Sequence, residues 1–353
     1  MRPLQNATLL LVLAYAAEGL GKVLDVGVDK HAGNTPDLRA AAAALMGTGF
    51  YNLSANSTEV VQPKMTWVHS YARSGASTVL HLAAVDTEGH RTFSPFEVCH
   101  AKDDLDPKLK RKGCSGVIKK LIRCDFRGMK SFDGWRDPRR KVRGYAWDYE
   151  VDRASSACST ADRMLFKTTK RWYGDTQIKG PKLKLLEKNP HVQMLNVVRD
   201  PRGIFASWLN TFPLNDTRFG GIHRDIVAMT SICNDMYANM KLKHPQVHHV
   251  VLEDLIKKPK EVTQSIAEFL GFNVTEKHHN WLKQNINAPN CPGVNFWVAA
   301  YSICHTNSDE PLTRWQKKLT PFEQEMFLKH PQCRRVAEHY GFPLETETAS
   351  TLV

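Results

Sequence analysis

Met65-Thr66-Trp67-Val68-His69-Ser70, running directly into Tyr71-Ala72-Arg73-Ser74-Gly75-Ala76-Ser77-Thr78, is the stretch on which the fold turns. The first six residues have the β-branched and aromatic content of a strand, bounded by Pro63 and a glycine turn. Residues 78–85 then carry a helical pattern. Between strand and helix, small residues let the backbone curl so that several N–H groups converge on one anion. The helix that follows adds the positive end of its dipole. Arg73 suits bidentate binding of phosphate oxygens, and the Ser77 and Thr78 hydroxyls can donate to the same group. The segment lacks the G-x-x-x-x-G-K-[ST] spacing of a nucleoside-triphosphate loop, which disfavours ATP hydrolysis. Alone, it reads equally well as a Gly/Ser turn that caps a helix.

Outward from this stretch, further strand signals lie at 164–167, 193–198 and 247–252, with helical patterns at 222–243, 260–270 and 321–329. Such alternation implies a parallel sheet with right-handed crossovers, which collects ligands at the carboxyl ends of its strands. The strand at 193–198 ends in Arg199-Asp200-Pro201-Arg202-Gly203-Ile204-Phe205-Ala206-Ser207. Pro201 suits a first helical position, which puts Ser207 two turns along the helix. Arg199 and Ser207 could together hold a second phosphate. The plainer alternative is a helix capped by Asp200 with two solvated arginines.

The chain has 353 residues, enough for a full α/β core, with a formal charge of +12 and a pI near 9.3. That excess favours polyanionic partners. Fifteen Lys or Arg against six Asp between residues 101 and 143 supply much of it; the stretch reads either as a glycan-binding surface, with Phe126, Phe132 and Trp135 interleaved where they could stack on sugar rings, or equally as a solvated charged insertion. An apolar run at 7–17 behind Arg2 has the length of a signal-peptide core and falls short of a spanning helix. Sequons at Asn52, Asn56, Asn215 and Asn273 agree with a lumenal route. The eight cysteines form no C-x-x-C pair, so disulfides are expected rather than a metal site. A nuclear or cytosolic nucleic-acid binder is disfavoured by this route.

These motifs together resemble the Golgi carbohydrate sulfotransferases, especially those acting on the 6-hydroxyl of GlcNAc, galactose or GalNAc. Arg73-Ser74-Gly75-Ala76-Ser77 matches their phosphosulfate loop, and Val198 to Ser207 their 3′-phosphate motif with Gly203 in place of Ala. Phe96-Glu97, Leu121 to Phe126 (similar to the family's L-x-x-x-C-D-F but one residue shorter), Leu252-Glu253-Asp254-Leu255 and Arg314-Trp315 follow in the family's order. Ala76, Val98, Trp208 and Leu252 depart from its usual residues.

The resemblance implies a P-loop nucleotide-kinase-like α/β fold, a parallel sheet flanked by helices, over residues 63–345. A signal or short anchor at 1–17 and a stem at 18–62 would precede it, and a tail at 346–353 would follow. It implies 3′-phosphoadenosine 5′-phosphosulfate (PAPS) as cofactor, bound by Arg73, Ser74, Gly75, Ala76, Ser77 and Thr78 at one end and by Arg199 and Ser207 at the other. Glu97 is the implied base and His100 the alternative. Lys167 and Lys170 are candidates for neutralising sulfate charge. The implied acceptor is a carbohydrate, an anionic glycan fitting the basic surface. The implied location is the Golgi lumen or the secreted space. Competing readings are a protein-tyrosine sulfotransferase and a secreted glycan-binding protein of the same fold without catalysis.

Overall fold

The strand through Trp67 lies at the middle of the sheet. The computed structural model describes residues 63–71, 73–85, 91–98, 107–127, 151–170, 182–211, 226–291 and 303–344, all within one unit, Val61–Val353. The expected signal, stem and tail lie outside the described residues. Five parallel strands run β1 (Lys64–Tyr71), β2 (Thr92–Glu97), β3 (Arg163–Lys170), β4 (Val192–Val198) and β5 (Val247–Val251) in chain order, and pair in the order β2-β3-β1-β4-β5. β1 is buried from Met65 to Tyr71, as helix cover on both faces of a parallel sheet requires. That double cover buries the polar Thr66, His69 and Ser70 together with the apolar Met65, Trp67, Val68 and Tyr71. Trp67 stacks on Phe166 and donates its indole N–H to Thr168 Oγ1 at 2.7 Å, so the largest core ring keeps its one polar atom satisfied.

On one face, Met65, Trp67, Met164 and Phe166 meet Cys114, Val117, Ile118 and Leu121 of α2 (Pro107–Leu121) and Ala154 and Cys158 of α3 (Val151–Ser159). On the other, Val68, Leu165 and Leu195 meet α1 (Ala76–Ala83), together with Ile266 and Leu270 of the helix Pro259–Leu270 and Leu282 of the helix Glu276–Asn285. In chain order the remaining helices are α4 (Lys182–Glu187), α5 (Pro201–Thr211), α6 (Ile226–Met240), α7 (Leu252–Lys257), α8 (Pro259–Leu270), α9 (Glu276–Asn285), α10 (Asp309–Lys318), α11 (Pro321–Lys329) and α12 (Pro331–Tyr340). A third cluster, with Phe205, Trp208, Met236, Trp315, Phe327 and Val336, joins α5, α6, α10, α11 and α12. α10 touches both sides: Leu312 belongs to the cluster around α1, Trp315 to the cluster around α5.

The expected strands at 65–70, 164–167 and 193–198 fall within β1, β3 and β4, and the expected helices at 260–270 and 321–329 match α8 and α11. The strand expected at 247–252 stops at Val251, and Leu252 instead opens α7. β2 was not anticipated. Its register with β3 shifts between Phe93 and Phe96, on either side of Pro95, whose missing N–H interrupts the ladder on this edge strand. Part of the basic stretch is α2, whose residues 114, 117, 118 and 121 form the buried stripe.

Disulfides join Cys124 to Cys158, Cys233 to Cys333 and Cys291 to Cys304. Among the described residues no helix is long and apolar enough to cross a membrane.

Candidate active site

At the carboxyl edge of β1 the backbone turns sharply. Arg73 and Gly75 both take positive φ, 73° and 83°, and Gly75 is the N-cap of α1. Only glycine fits at 75. A Cβ there would lie 2.6 Å from Leu252 Cδ1, and the conformation is one that residues with side chains rarely adopt. Leu252, which stands where the resemblance leads one to expect an aromatic, therefore buttresses the loop. Arg73 holds its left-handed conformation at the cost typical of such strain, about 1–3 kcal/mol, and such strain gathers at functional sites. Ser74 is buried and its hydroxyl has no hydrogen-bond partner among the described residues. Ala76, Ser77 and Thr78 form the first turn of α1.

The second motif meets this loop directly. Arg73 Nε donates to Ser207 Oγ at 3.1 Å, across 134 residues of chain, and Arg199 Nη1 donates to the Arg73 carbonyl at 3.0 Å. The other terminal nitrogen of Arg199 donates to the Pro311 carbonyl of α10. Arg199 Nε is buried with no hydrogen-bond partner among the described residues. Burial pushes the Arg199 guanidinium below its ordinary range, opposed by the charges of Glu253 and Asp200. Gly203 makes room for it: a Cβ at that position would sit 3.0 Å from Arg199 Nε. The glycine that replaces the family's usual alanine thus accompanies a tightly seated arginine.

Asp200 does cap α5, accepting from the Arg202 N–H at 2.9 Å, but neither arginine of the motif is solvated. Arg202 is 2% exposed, forked on Asp200 at 3.0 and 2.7 Å, and its guanidinium lies 3.8 Å from the Trp315 ring centroid. Glu253, at the start of α7, accepts from the Asp200 N–H at 3.1 Å, and burial raises its carboxyl to about 7 against the pull of Arg199.

Lys167 supplies a link that spacing alone did not reveal. Buried at the carboxyl end of β3, it donates from Nζ to Ser77 Oγ at 2.8 Å, placing an ammonium at the first turn of α1. Its strand position pairs with Glu97 of β2, and its carbonyl accepts from the Val98 N–H at 3.0 Å. Glu97 therefore ends its strand beside Lys167 on the same edge of the sheet. Lys170 is the last residue of β3. His100 lies outside the described residues. Arg314 of α10, noticed in sequence as part of an Arg-Trp pair, makes a bidentate bond to Glu310 and acts electrostatically on Arg199.

A donor with two anionic ends would find matching chemistry on this edge: a glycine-built cradle, an ammonium, the guanidiniums of Arg73 and Arg199, and buried polar atoms on Arg199 and Ser74 that have no hydrogen-bond partner among the described residues.

Comparison with known proteins points the same way. Carbohydrate sulfotransferase 1 of Danio rerio is 26% identical over 200 residues, covering 52% of this chain and 46% of that protein. The Rattus norvegicus protein of the same name is 25% identical over 186 residues, covering 46% and 42%. The match thus spans somewhat less than half the length of these curated relatives. The sulfotransferase domain from the curacin biosynthetic pathway, a solved structure, covers 80% of this chain and 99% of its own at 15% identity and a TM-score of 0.46. The family model described as "Sulfotransferase domain" matches residues 63–296, from the start of β1 past the end of α9 and so across both motifs, at 73–78 and 199–207. With that match, the chain belongs to the sulfotransferase domain family.

Proposed function

We propose that this chain transfers a sulfuryl group from PAPS to a carbohydrate hydroxyl. The observation that supports the reading is the pair of contacts Arg73–Ser207 and Arg199–Arg73, which brings together two motifs 134 and 126 residues apart in the chain. Sulfuryl transfer, like phosphoryl transfer, depends on positioning and on stabilising charge at the leaving oxygen. The donor supplies the sulfuryl group. Arg73, Ser74, Gly75, Ala76, Ser77 and Thr78 would hold its 5′ end through loop amides and hydroxyls, with Lys167 adding a cation through Ser77. Arg199 and Ser207 would hold the 3′-phosphate and so reject nucleotides that lack it. Glu97, at the end of β2 beside Lys167, would take the acceptor proton, with His100 as the alternative base.

The curated relatives' names support a carbohydrate acceptor, and the motif set supports the 6-hydroxyl of a glycosaminoglycan or another N-acetylhexosamine-containing glycan. An anionic acceptor agrees with the charge of +12 and with the lysine-rich α2. The disulfides agree with a secretory route, in the Golgi lumen or beyond it. Calorimetric titration with adenosine 3′,5′-bisphosphate, with AMP and ATP as controls, tests the reading. Tight binding that requires the 3′-phosphate is expected, followed by transfer of labelled sulfate to members of a glycan panel. A folded sample that ignores the bisphosphate would instead indicate a glycan-binding protein that kept the fold without the chemistry.

A further inference from the structure

A carboxylate stands where the donor reading calls for positive charge. Glu253, in the first turn of α7, accepts from the Asp200 N–H at 3.1 Å, so an acid abuts the residue that follows Arg199 in the second motif. Beside a phosphate site, a carboxylate weakens binding by repulsion unless it supplies something else.

The sheet shows what it supplies. β4 and β5 pair in parallel as far as Val198 and Val251, and Asp200 and Glu253 each lie two residues beyond that last pair. Their bond ties the two chains together past the end of the ladder, at the point where β4 turns into α5. The other polar groups of Asp200 are committed as well. Its carbonyl accepts from the Ile204 N–H at 3.0 Å, and its carboxylate takes the Arg202 N–H and guanidinium. The turn that carries Arg199 is therefore held on the α5 side by Asp200 itself and on the β5 side by Glu253. Glu253 is in turn set by its neighbour. Leu252 is buried, and its Cδ1 and Cδ2 lie 2.6 and 3.0 Å from where a Cβ on Gly75 would stand. One dipeptide is thus wedged against the turn of the first motif and bonded to the turn of the second.

We propose that Glu253 is a positioning residue for 3′-phosphate selectivity: by holding the Asp200 amide it fixes the direction in which Arg199 leaves β4. The proposal rests on the donor reading above. It predicts a sign that charge alone would reverse. As a bare anion, Glu253 repels phosphate, and its removal would tighten binding. As a positioning residue, its loss frees the turn and weakens the end of the donor that Arg199 and Ser207 would hold, leaving the 5′ end as it was.

The test is calorimetric titration of the full chain with adenosine 3′,5′-bisphosphate and, by competition, with AMP, which shares only the 5′ end. Glu253→Ala should lose about tenfold in bisphosphate affinity while AMP changes by less than about twofold. Glu253→Gln, whose amide oxygen can accept the same N–H, should recover most of that loss. Glu253→Asp, which keeps the charge but is one methylene shorter, should not, and this pair decides the question if the alanine variant does not fold. Bisphosphate binding by Glu253→Ala as tight as wild type or tighter, or an equal loss for the two nucleotides, overturns the role of Glu253 and leaves the donor site standing. So does rescue by Asp without rescue by Gln. Failure of a folded wild-type sample to bind the bisphosphate overturns both.

Discussion

Arg199 carries the sharpest test at the level of single residues. The residue is 6% exposed, spends two guanidinium nitrogens on carbonyls and has no partner for Nε among the described residues. Replacing it with alanine removes a charge-assisted contact worth roughly 1.5–3 kcal/mol, or about ten- to hundredfold in bisphosphate affinity. Unchanged affinity in a folded Arg199→Ala sample would remove it from the 3′-phosphate site. Glu97 calls for a different readout. If it is the base, Glu97→Gln should lower kcat steeply while bisphosphate affinity stays near wild type. An active Glu97→Gln beside a silent His100→Ala would transfer the role to the histidine. The two motifs that meet in space stood out in sequence by residue type and order, with Arg73, Gly75, Arg199 and Ser207. Residue chemistry was not legible where it depended on a neighbour in space. Nothing in the run around Lys167 announces that its ammonium reaches Ser77, ninety residues away in the chain, because adjacent parallel strands set that meeting. Arg202 was likewise open to a solvated reading until Trp315 was seen beneath it.

Among the elements, the clearest prediction concerns the start of α5. Asp200 both caps the helix and neutralises the buried Arg202, so Asp200→Ala does more than remove a cap. An ordinary N-cap loss costs about 1 kcal/mol, whereas stranding a buried charge costs about 3–5 kcal/mol. Urea unfolding of Asp200→Ala should therefore show a loss in the higher range, and a loss near 1 kcal/mol would mean that Arg202 finds other compensation. The same physics explains which elements could be read in advance. β1 and β4 are covered on both faces, and burial forces apolar runs that stand out against their surroundings. β2 is an edge strand, and Thr92-Phe93-Ser94-Pro95-Phe96-Glu97 carries neither a clean alternation nor an uninterrupted set of N–H donors. α2 did carry the signal, since Cys114, Val117, Ile118 and Leu121 follow helical spacing. The lysines around them drew the reading toward a charged insertion.

For the molecule as a whole, what matters is that the anion site is assembled from segments far apart in the chain and is seated by packing beneath it. α5 carries Ser207 and α10 carries Arg314; Phe205 and Trp315 anchor these helices in one cluster with Phe327, Val336 and Phe342. The Cys233–Cys333 disulfide lies inside that cluster and joins α6 to α12 across a sequence separation of 100. A crosslink closing a loop of that length removes about 4–5 kcal/mol of chain entropy from the unfolded state in the simplest model, and measured losses on removal run about 2–5 kcal/mol. The double variant Cys233→Ser with Cys333→Ala should therefore melt roughly 5–15 °C lower. Because the same cluster seats α5, which carries the proposed 3′-phosphate ligand Ser207, the variant should also bind the bisphosphate more weakly. Excess bisphosphate should still raise its melting temperature, since a ligand of the native state stabilises by mass action. A fall in melting temperature with bisphosphate affinity unchanged would confine the disulfide to global stability. An unchanged melting temperature would show that packing alone holds α12 in place.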